Sequence, residues 1–422
     1  MRILHVNIGY PPFVGGAQVF VQQVARHFAQ RGHVVEAWAS DALEIDHLWA
    51  RHRLQGPVGE GRDEGVIVRR FAARHLPALP YSYHALRRLA VAGSRCPWIG
   101  EGRLWALARY TPWLPTMGEA FVSHDLSFDL VHGWNIPFES LLGPAQRFAR
   151  RAGIPFIITP LVHLGEAGDQ RVRQLYTMRH QLSLIRESDA VIALTPIEAD
   201  YLVSQGVSAD RVHVVGGGVD PVAIARGDAV RFRAGYGVER PFVLYIGALN
   251  EHKGATHLVK ALGDPALCGR DCDLVMVGQP MAHFQRFFDQ LPAACKSRCH
   301  LLGAADEEAK ADALAACEML ALPSHTESFG LVYLEAWAAG KPVIGARAGA
   351  VPAVVEDGVD GLLVPYGDVA ALAQAIGRLL DDPALAQEMG AAGQRKVRER
   401  FTWGTAAARL EEIYRRVRGG GS

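Results

Sequence analysis

Short apolar runs, each followed by a turn and then by residues with helical periodicity, repeat along most of the chain. Such runs predict buried β-strands, and their alternation with helices predicts parallel sheets of the doubly wound α/β class. The predicted strands are Arg2–Ile8, Val34–Ala39, Asp129–His132, Pro155–Thr159, Ala190–Leu194, Arg211–Val215, Phe242–Ile246, Asp273–Gly278, His300–Gly303, Met319–Leu322 and Val343–Gly345. At 422 residues the chain is too long for one comfortable core, so two such domains are expected.

Helical periodicity predicts the elements between these strands. The predicted helices are 17–30, 170–187, 196–205, 255–262, 384–399 and 405–417. The stretch 41–125 is less regular, but its segments 69–90 and 103–117 mix apolar with basic residues and predict two amphipathic helices that cover the N-terminal sheet. Their Arg, Trp and Tyr content also fits an alternative, a basic–aromatic face that lies on a membrane or grips an acceptor.

The segment 318–345 carries the strongest candidate chemistry. It predicts a strand, a polar loop, a helix and a second strand, with Ser328 as the helix N-cap. The amides of Phe329–Leu331 would lie in the first helical turn, where N–H groups lack partners and the helix dipole favours a phosphate or diphosphate. Glu335, about 7–8 Å further along the axis, suits a ribose attached to those phosphates, whereas Glu327 in the loop suits a hexose on their other side.

Two other interpretations of Glu327 and Glu335 stay open at this point. Both could be solvated carboxylates on a helix that merely packs on a sheet. They could also be the acid and the nucleophile of a glycosidase, which requires two carboxylates about 5–10 Å apart on either side of one bond. Glu335, inside the helix and beyond the phosphate position, is poorly placed for that reaction.

The string PSHTESFGLVYLEAWAAGKPVIG closely resembles the E-x7-E signature of the retaining glycosyltransferases of family 4, and the resemblance continues through 348–368 and 245–254. It implies the GT-B fold, in which two doubly wound Rossmann-like domains face a central cleft. We therefore expect an acceptor-side domain at 1–218 and a nucleotide-sugar-binding domain at 219–400. A C-terminal helix at 401–418 is expected to cross back to the first domain.

The same resemblance implies roles for individual residues. Lys253 would face the diphosphate, while His163 and Glu327 would position the hexose; these three are the expected catalytic residues. The donor-binding residues that it implies are Gly15, Gly16, Gly247, Lys253, Glu327, Ser328, Phe329, Gly330, Leu331 and Glu335. Three positions depart from the family pattern: Ala248 stands where an Arg is usual, and Ala350 and Ala353 stand where a Gly and a Glu are usual.

The activity implied by the resemblance is retaining transfer of a hexose-type sugar from a nucleotide diphospho-sugar, of the UDP or GDP type, to a hydroxyl of a glycan, lipid or small molecule. No catalytic metal or other cofactor is expected. One alternative is a catalytically impaired subunit that binds sugar nucleotides, which the missing guanidinium at Ala248 favours. A nucleotide-sugar epimerase of the same fold is a further alternative that fits the motifs less well.

Composition narrows the expected partners and location. Lys plus Arg and Asp plus Glu both number 44, so the formal charge is zero and nothing indicates a nucleic-acid partner. No apolar run reaches the roughly 18 residues of a membrane span, and MRILHVNIGY enters a strand at once, so a cytoplasmic protein is expected. Residues 69–117 leave peripheral contact with the inner membrane face as a further expectation. The terminal GGGS resembles a linker and is left out of the fold prediction.

Two cysteine pairs, Cys268/Cys272 and Cys295/Cys299, each precede or open a predicted strand. If those strands are parallel neighbours, both pairs lie at one edge of the second sheet. Four thiolates there could bind a structural Zn²⁺ ion tetrahedrally. Free thiols in a reducing compartment are the preferred interpretation.

Overall fold

The computed structural model describes residues 1–13, 15–49, 56–78, 80–123, 127–166, 170–267 and 269–419. The chain forms two compact units. The first unit comprises Met1–Val162, Gln170–Gly216 and Trp403–Ser422, and the second comprises His163–Asp169 and Gly217–Thr402.

The first unit is built on an eight-stranded sheet. Its strands are β1 (Arg2–Val6), β2 (Val34–Ser40), β3 (Gly59–Asp63), β4 (Val66–Phe71), β5 (Leu130–Trp134), β6 (Phe156–Thr159), β7 (Ala190–Ala193) and β8 (Val212–Val214). Their order is β3-β4-β2-β1-β5-β6-β7-β8, and every neighbouring pair is parallel except β3 with β4. The chain starts at a central strand and winds outward in both directions, which defines a doubly wound sheet.

Within the described residues, eight helices lie between β1 and β8 and belong to the first unit. They are α1 (Gly16–Gln30), α2 (Tyr81–Arg95), α3 (Glu101–Ala108), α4 (Pro115–Ser123), α5 (Glu139–Ala152), α6 (Gln170–Arg173), α7 (Arg179–Arg186) and α8 (Pro196–Ser204). Short 3₁₀ turns occur at Ile45–Leu48, Ile136–Phe138 and Ala209–Arg211. Strand β5 is buried along its whole length, as expected of a central parallel strand covered on both faces.

The second unit contains a six-stranded parallel sheet. Its strands are β9 (Phe242–Ile246), β10 (Asp273–Val277), β11 (Cys299–Gly303), β12 (Met319–Leu322), β13 (Val343–Ala346) and β14 (Gly361–Val364). The order β11-β10-β9-β12-β13-β14 corresponds to 3-2-1-4-5-6, the order of a Rossmann-like sheet. The prediction of two doubly wound α/β domains is therefore confirmed.

The helices of the second unit cover both faces of this sheet. They are α9 (Pro221–Ile224), α10 (Ala229–Tyr236), α11 (Ala255–Ala261), α12 (Ala282–Asp289), α13 (Ala293–Lys296), α14 (Glu307–Ala316), α15 (Leu331–Ala338), α16 (Val351–Val354), α17 (Val369–Asp381) and α18 (Pro383–Arg400), with a 3₁₀ turn at Pro265–Leu267. Trp337 of α15 and Tyr333, one turn before it, are fully buried. Their burial fixes α15 against the sheet.

The last helix, α19 (Trp403–Gly419), packs in the first unit against α1. Trp403 meets Phe20 edge-to-face, with ring centroids 5.3 Å apart. Further along, Tyr414 lies 5.3 Å from the ring of Phe28 and forms a hydrogen bond with Nδ1 of His132. The end of the chain is thus part of the first unit's core.

Two sequence predictions in the first unit are wrong in detail. The stretch 41–125 holds not two helices but the hairpin β3–β4 followed by α2, α3 and α4. The predicted helix 170–187 is two helices, because Met178 has extended backbone (φ −61°, ψ 149°) before α7. The Arg179 guanidinium stabilises this break through hydrogen bonds to carbonyls of Ser94, Cys96 and Ile99.

Residues 163–166 follow β6 in sequence but belong to the second unit. The carbonyl of Gly165 accepts a hydrogen bond from the amide of Gly349 at 2.8 Å. A single boundary near residue 218 therefore does not describe this short segment, and His163 lies in the unit that holds the other expected catalytic residues.

Candidate active site

The second sheet reverses its winding between β9 and β12, which are parallel neighbours with Val243 opposite Met319. Ligands of open α/β sheets bind outside the carboxyl ends of the strands at such a switch point. Loop 247–254 leaves β9 and loop 323–330 leaves β12 at this edge. The expected donor-binding residues of the second unit, apart from Leu331 and Glu335 at the start of α15, lie in these two loops.

Loop 247–254 presents Lys253. Gly247 has a φ of 154°, and its carbonyl oxygen would lie 1.9 Å from a Cβ placed on Gly278, so two backbones pass each other closely here. The amide of Lys253 donates to Oδ1 of Asn250 at 2.8 Å, which fixes the turn that carries the lysine.

The ammonium group of Lys253 contacts the Glu327 carboxylate. Its Nζ lies 2.5 Å from Oε1 of Glu327 and 3.3 Å from the carbonyl oxygen of Thr326. Glu327 is 8% exposed as a residue, and the lysine side chain is 28% exposed. The pair is therefore partly desolvated, yet the lysine remains accessible to a ligand at the mouth of the loops.

The backbone of Glu327 is held by the loop after β13. Its carbonyl accepts a hydrogen bond from the Ala350 amide at 3.0 Å. Gly349 has a φ of 57°, and a Cβ there would come within 3.0 Å of the Glu327 amide nitrogen. Because Gly349 also bonds to Gly165, the loop that carries Glu327 and the segment that carries His163 share one support.

The pKa of His163 depends on the charges of both other expected catalytic residues, Lys253 and Glu327. The pKa of its imidazole is lowered to about 4 by burial and by the charge of Lys253, and the charge of Glu327 partly opposes this shift. The ring is consequently neutral at physiological pH. A neutral imidazole can donate one hydrogen bond and accept another, which suits the positioning of hydroxyl groups.

The helix after loop 323–330 begins later than the sequence predicted. Gly330, with a φ of 88°, is the N-cap of α15, and no side chain caps the helix. Ser328 lies two residues before that position, so its assignment as the N-cap is wrong. The left-handed conformation of Gly330 allows the chain to turn directly into the helix at Leu331, and a Cβ on Gly330 would lie 2.5 Å from the Tyr333 ring.

The amides of Phe329, Gly330 and Leu331 donate no hydrogen bond within the described part of the chain. Phe329 itself is buried, and its ring meets Phe401 edge-to-face at 5.6 Å. Three successive amides without partners at a helix start form a favourable position for an anion. The prediction that Phe329–Leu331 lie in the first turn needs one correction, because only Leu331 is helical.

Glu335 lies within α15 and pairs with a residue that the sequence did not reveal. Nζ of Lys310, in α14, is 2.8 Å from Oε1 of Glu335 and also 2.8 Å from Oε2 of Glu307. Burial raises the pKa of the Glu335 carboxyl, and the charge of Lys310 opposes that rise. Oε2 of Glu335 is buried and has no hydrogen-bond partner within the described residues, so a ligand hydroxyl could satisfy it.

Two buried tyrosines enclose the Glu327 side of the site. Burial raises the pKa values of Tyr245 and Tyr333, and the charge of Glu327 raises them further. The Tyr245 hydroxyl donates to the carbonyl of Ala248 at 2.9 Å, and the Tyr333 hydroxyl donates to the carbonyl of Leu322 at 2.6 Å. These bonds attach both switch-point loops to the core.

Gly15 and Gly16 lie in the first unit, where Gly15 is the N-cap and Gly16 the first residue of α1. Of the four cysteines considered for zinc, Cys268 lies outside the described residues. Leu274 pairs with Cys299, so β10 and β11 are parallel neighbours. Across the ranges given above, no group of three or more His, Cys, Asp or Glu side chains is arranged to hold a metal ion.

Over the described part of the chain, no helix is both long enough and apolar enough to cross a membrane.

The chain has two Rossmann-like units, and the switch point of the second carries amides without partners, a lysine and carboxylates. This arrangement defines a protein of the GT-B class. A family model described as a glycosyl transferase 4-like domain matches residues 15–218, and one described as glycosyl transferases group 1 matches residues 240–382. The chain belongs to this family of glycosyltransferases and is a glycosyltransferase of the GT-B type.

Curated relatives are similar over nearly the whole chain. A D-inositol 3-phosphate glycosyltransferase of Xylanimonas cellulosilytica is 31% identical over 418 residues, which cover 95% of this chain and 91% of that protein. A protein of the same name from Actinosynnema mirum is 30% identical, with 96% and 93% covered.

Solved structures share the fold. A sucrose-phosphate synthase from Thermosynechococcus elongatus superposes with a TM-score of 0.76 at 23% identity, covering 99% of each chain. HepE from Anabaena, solved in complex with UDP-glucose, gives a TM-score of 0.68 at 20% identity, covering 98% of this chain and 99% of that one.

Proposed function

We propose that the protein transfers a hexose-type sugar from a UDP-sugar to a hydroxyl acceptor, with retention at the anomeric carbon. The observation that carries the proposal is the switch point of the second unit, where Lys253, Glu327 and His163 are electrostatically coupled. The amides of Phe329–Leu331 without partners begin α15 at the same edge. A solved relative of the same fold, HepE, is in complex with UDP-glucose, which supports the uridine nucleotide.

In this proposal the diphosphate lies against the amides of Phe329–Leu331 and the ammonium group of Lys253. When the bond from the anomeric carbon to the diphosphate breaks, negative charge grows on the leaving oxygen. A preorganised cation and amide dipoles stabilise that charge without reorganisation. These groups would replace a metal ion in this role, so we propose that the reaction requires no metal.

The two carboxylates would have separate binding tasks. Oε2 of Glu335, buried and without a partner in the described chain, would accept a hydrogen bond from a ribose hydroxyl. Glu327 and the neutral imidazole of His163 would bind hydroxyls of the hexose. Because Lys253 already holds Oε1 of Glu327, that carboxylate is a positioning group rather than a free nucleophile. The acceptor hydroxyl would form the new bond, and its proton would pass to the leaving diphosphate.

The donor is tested by incubating the protein with a panel of UDP-, GDP- and ADP-sugars and measuring nucleotide release. The hydroxyl acceptors should include inositol 3-phosphate, because curated relatives carry that substrate in their names. We expect turnover with a UDP-hexose, and an NMR spectrum in which the product keeps the donor's anomeric configuration. An inverted product would contradict the proposed stereochemistry, and a preference for GDP- or ADP-sugars would contradict the proposed base.

Replacing Lys253 tests the site itself. Lys253→Ala should lower kcat/KM by an amount equivalent to about 2–4 kcal/mol of transition-state stabilisation. Lys260→Ala is the matched control, because this lysine is exposed on α11 in the same unit. Equal kcat/KM for the Lys253 variant and the unchanged protein would contradict the assignment.

A second candidate function is a subunit that binds sugar nucleotides without turning them over. Ala248 favours it, because the methyl group at this position supplies none of the charge that a guanidinium would bring to a diphosphate. Calorimetric binding of UDP together with no nucleotide release across the whole panel would support this candidate over the enzyme.

We further propose that α2 and the turn after it touch an anionic membrane surface. The segment 69–117 contains eight Arg and a single acidic residue, Glu101. Leu79 within it lies outside the described residues. Trp98, Tyr81 and Leu89 are 83%, 78% and 57% exposed. Aromatic and aliphatic side chains among arginines suit a lipid interface.

Co-sedimentation with vesicles tests this contact. The protein should bind vesicles containing phosphatidylglycerol and not vesicles of phosphatidylcholine alone, and Trp98→Ser with Leu89→Ser should abolish the binding. Equal sedimentation of the variant and the unchanged protein would contradict a membrane role for this face.

A further inference from the structure

Glu198 is a buried carboxylate that no step of the proposed reaction uses. It is 1% exposed and lies in the first turn of α8, after the N-cap Thr195. Its Oε1 accepts a hydrogen bond from the amide of Val162 at 2.7 Å, and its Oε2 accepts one from the amide of Leu194 at 2.8 Å. Both oxygens are thus occupied by backbone groups of the first unit, so Glu198 acts on the chain and not on a ligand.

The two amides lie just beyond the carboxyl ends of neighbouring strands. Leu194 follows β7 directly, and Val162 comes three residues (162 − 159) after the end of β6. The two strands are parallel, with Ile157 opposite Ala190. One side chain therefore joins two strand ends at the edge where open α/β sheets present their functional residues.

The bond to Val162 fixes the point at which the chain leaves the first unit. Val162 is the last residue of that unit before His163, and it is 1% exposed. The carbonyl of Pro160 accepts a hydrogen bond from the amide of Ile136 at 3.0 Å, and the next residue, Leu161, has a left-handed backbone with a φ of 54°. A leucine at positive φ is strained and persists only where the surrounding structure determines the backbone.

His163 lies between two backbone supports. The Val162 amide precedes it by one residue. The Gly165 carbonyl, which bonds to the amide of Gly349 at 2.8 Å, follows it by two. Because fixed neighbours enclose His163 so closely in the chain, its φ and ψ have little freedom to change. The direction of its imidazole consequently depends on the bond that Glu198 accepts.

Accepting from both amides requires an ionised carboxylate at position 198. A carboxylate has acceptor sites on both oxygens, whereas the amide of a glutamine has a donor NH₂ group in place of one of them. Glutamine, or a protonated Glu198, would therefore turn a donor toward one of the two backbone N–H groups and lose that bond. Glu198→Gln removes this support with almost no change of side-chain volume.

We propose that Glu198 is a positioning residue for the transfer reaction, which holds the backbone of Val162 and thereby fixes the imidazole of His163 in the orientation that binds the hexose. The inference rests on the proposed function, because the bond has a catalytic consequence only if His163 binds the hexose. It assigns Glu198 no contact with a substrate.

Kinetics of Glu198→Gln test this role. We expect kcat/KM for the UDP-hexose to fall by about tenfold to a hundredfold, since a misplacement of about 1 Å can cost that much. The Kd for UDP, which has no hexose, should stay the same. In a His163→Ala background, the same replacement should change kcat/KM by less than about twofold. Equal losses with and without His163 would overturn the proposal, because a purely structural glutamate acts independently of the histidine.

Asp189→Asn is the matched control. Asp189 accepts a hydrogen bond from the amide of Phe156 at 2.7 Å, so it joins the same two strands at their opposite, amino-terminal ends. Its replacement should leave kcat/KM unchanged. Urea unfolding followed by tryptophan fluorescence shows beforehand that the first unit of each variant is folded.

NMR of the unchanged protein tests the same link without turnover and without a variant. Burial raises the pKa of Glu198 to about 7, the amides of Leu194 and Val162 oppose the rise, and no charged side chain of the described residues contributes. The pKa of His163 is about 4, so its own ring does not titrate near pH 7. We expect the ring signal of His163, identified by its absence in His163→Ala, to shift as Glu198 titrates. In Glu198→Gln this shift should be absent.

The two measurements separate this inference from the proposed function. A His163 signal that stays constant around pH 7, or that shifts equally in Glu198→Gln, would overturn the role of Glu198 even if the protein turns over a UDP-hexose. A signal that shifts as expected in a protein without turnover would contradict the proposed function and support the positioning of His163 by Glu198.

Discussion

At the scale of single residues, the site depends on two lysine–glutamate pairs that are largely removed from water. Lys253 with Glu327 and Lys310 with Glu335 each join a residue of one loop or helix to a residue of another. Removing one member of such a pair leaves a buried charge and is costly, whereas a neutral isostere keeps the shape and much of the hydrogen bonding. Substitutions that preserve shape are therefore the informative ones here.

Glu335→Gln should weaken UDP binding by about tenfold, because the amide replaces a charge-assisted hydrogen bond with a neutral one worth about 1–1.5 kcal/mol less. Glu307→Gln is the matched control, since Glu307 pairs with the same Lys310 but its side chain is 84% exposed. Calorimetry should show unchanged UDP affinity for the control. Equal loss in both variants would mean that Lys310, and not Glu335, determines the affinity.

At the scale of the elements, sequence patterns predicted most strands that are buried on both faces, although the buried strand β14 was missed. The strands Phe242–Ile246 and Met319–Leu322 were predicted to the residue because a parallel strand inside two helical layers is a continuous apolar run. Strand β3 was missed, because Gly59–Asp63 has no apolar pattern and pairs only as an exposed antiparallel edge.

The residues of the candidate site were also predicted only in part. Lys253, Glu327 and Glu335 stand in motifs that are contiguous in sequence, so their positions at the switch point could be expected. Lys310 could not, because it lies 25 residues from Glu335 and reaches it from α14, a different helix. The N-cap of α15 was misplaced because a left-handed glycine, not a serine side chain, ends the loop.

Gly330 is the position at which this loop geometry can be tested. Gly330→Ala should destabilise the second unit by about 2 kcal/mol or more, since an L-residue at a φ of 88° costs about 1–2 kcal/mol and its Cβ would also meet the Tyr333 ring. Affinity for UDP should fall in parallel, because the amides of Phe329–Leu331 change direction.

The control for this change is Gly235→Ala, in α10 of the same unit, where an added methyl group meets nothing within 4 Å. It should leave UDP affinity unchanged and raise stability by roughly 0.5–1 kcal/mol. Urea unfolding measures the stability of the two variants, and calorimetry measures their affinity for UDP. A Gly330 variant as stable as the control would show that the left-handed turn is not required.

At the scale of the whole molecule, buried titratable groups link stability to pH. In the first unit, burial lowers the pKa of His5 to about 3 and holds that of His132 well below its ordinary value. Burial raises the pKa of Glu198 to about 7, although amides of Leu194 and Val162 oppose the rise. The two histidines and the glutamate therefore act on stability in opposite directions.

The signs follow from proton binding. Below pH 6.5 the unfolded chain protonates His5 and His132 while the folded unit keeps them neutral, so their contribution to stability is lost as pH falls from 6.5. Between pH 7 and 4.5 the folded unit holds a proton on Glu198 that the unfolded chain has released, so this residue contributes stability as pH falls. Among these three groups the net difference is one proton in favour of the unfolded chain, and His213 of the same unit, whose pKa is lowered by burial, acts in the same direction.

Stability of the first unit should therefore fall by about 1 kcal/mol per pH unit between pH 6.5 and 5. Urea unfolding followed by tryptophan fluorescence measures it, because seven of the eight tryptophans, all except Trp337, lie in this unit. Glu198→Gln removes the opposing group, so its slope should steepen to about 2 kcal/mol per pH unit. A stability that stays level or rises on acidification would show that His5 and His132 do not remain neutral in the folded unit. An unchanged slope in the Glu198→Gln variant would show that Glu198 is already ionised in the folded unit.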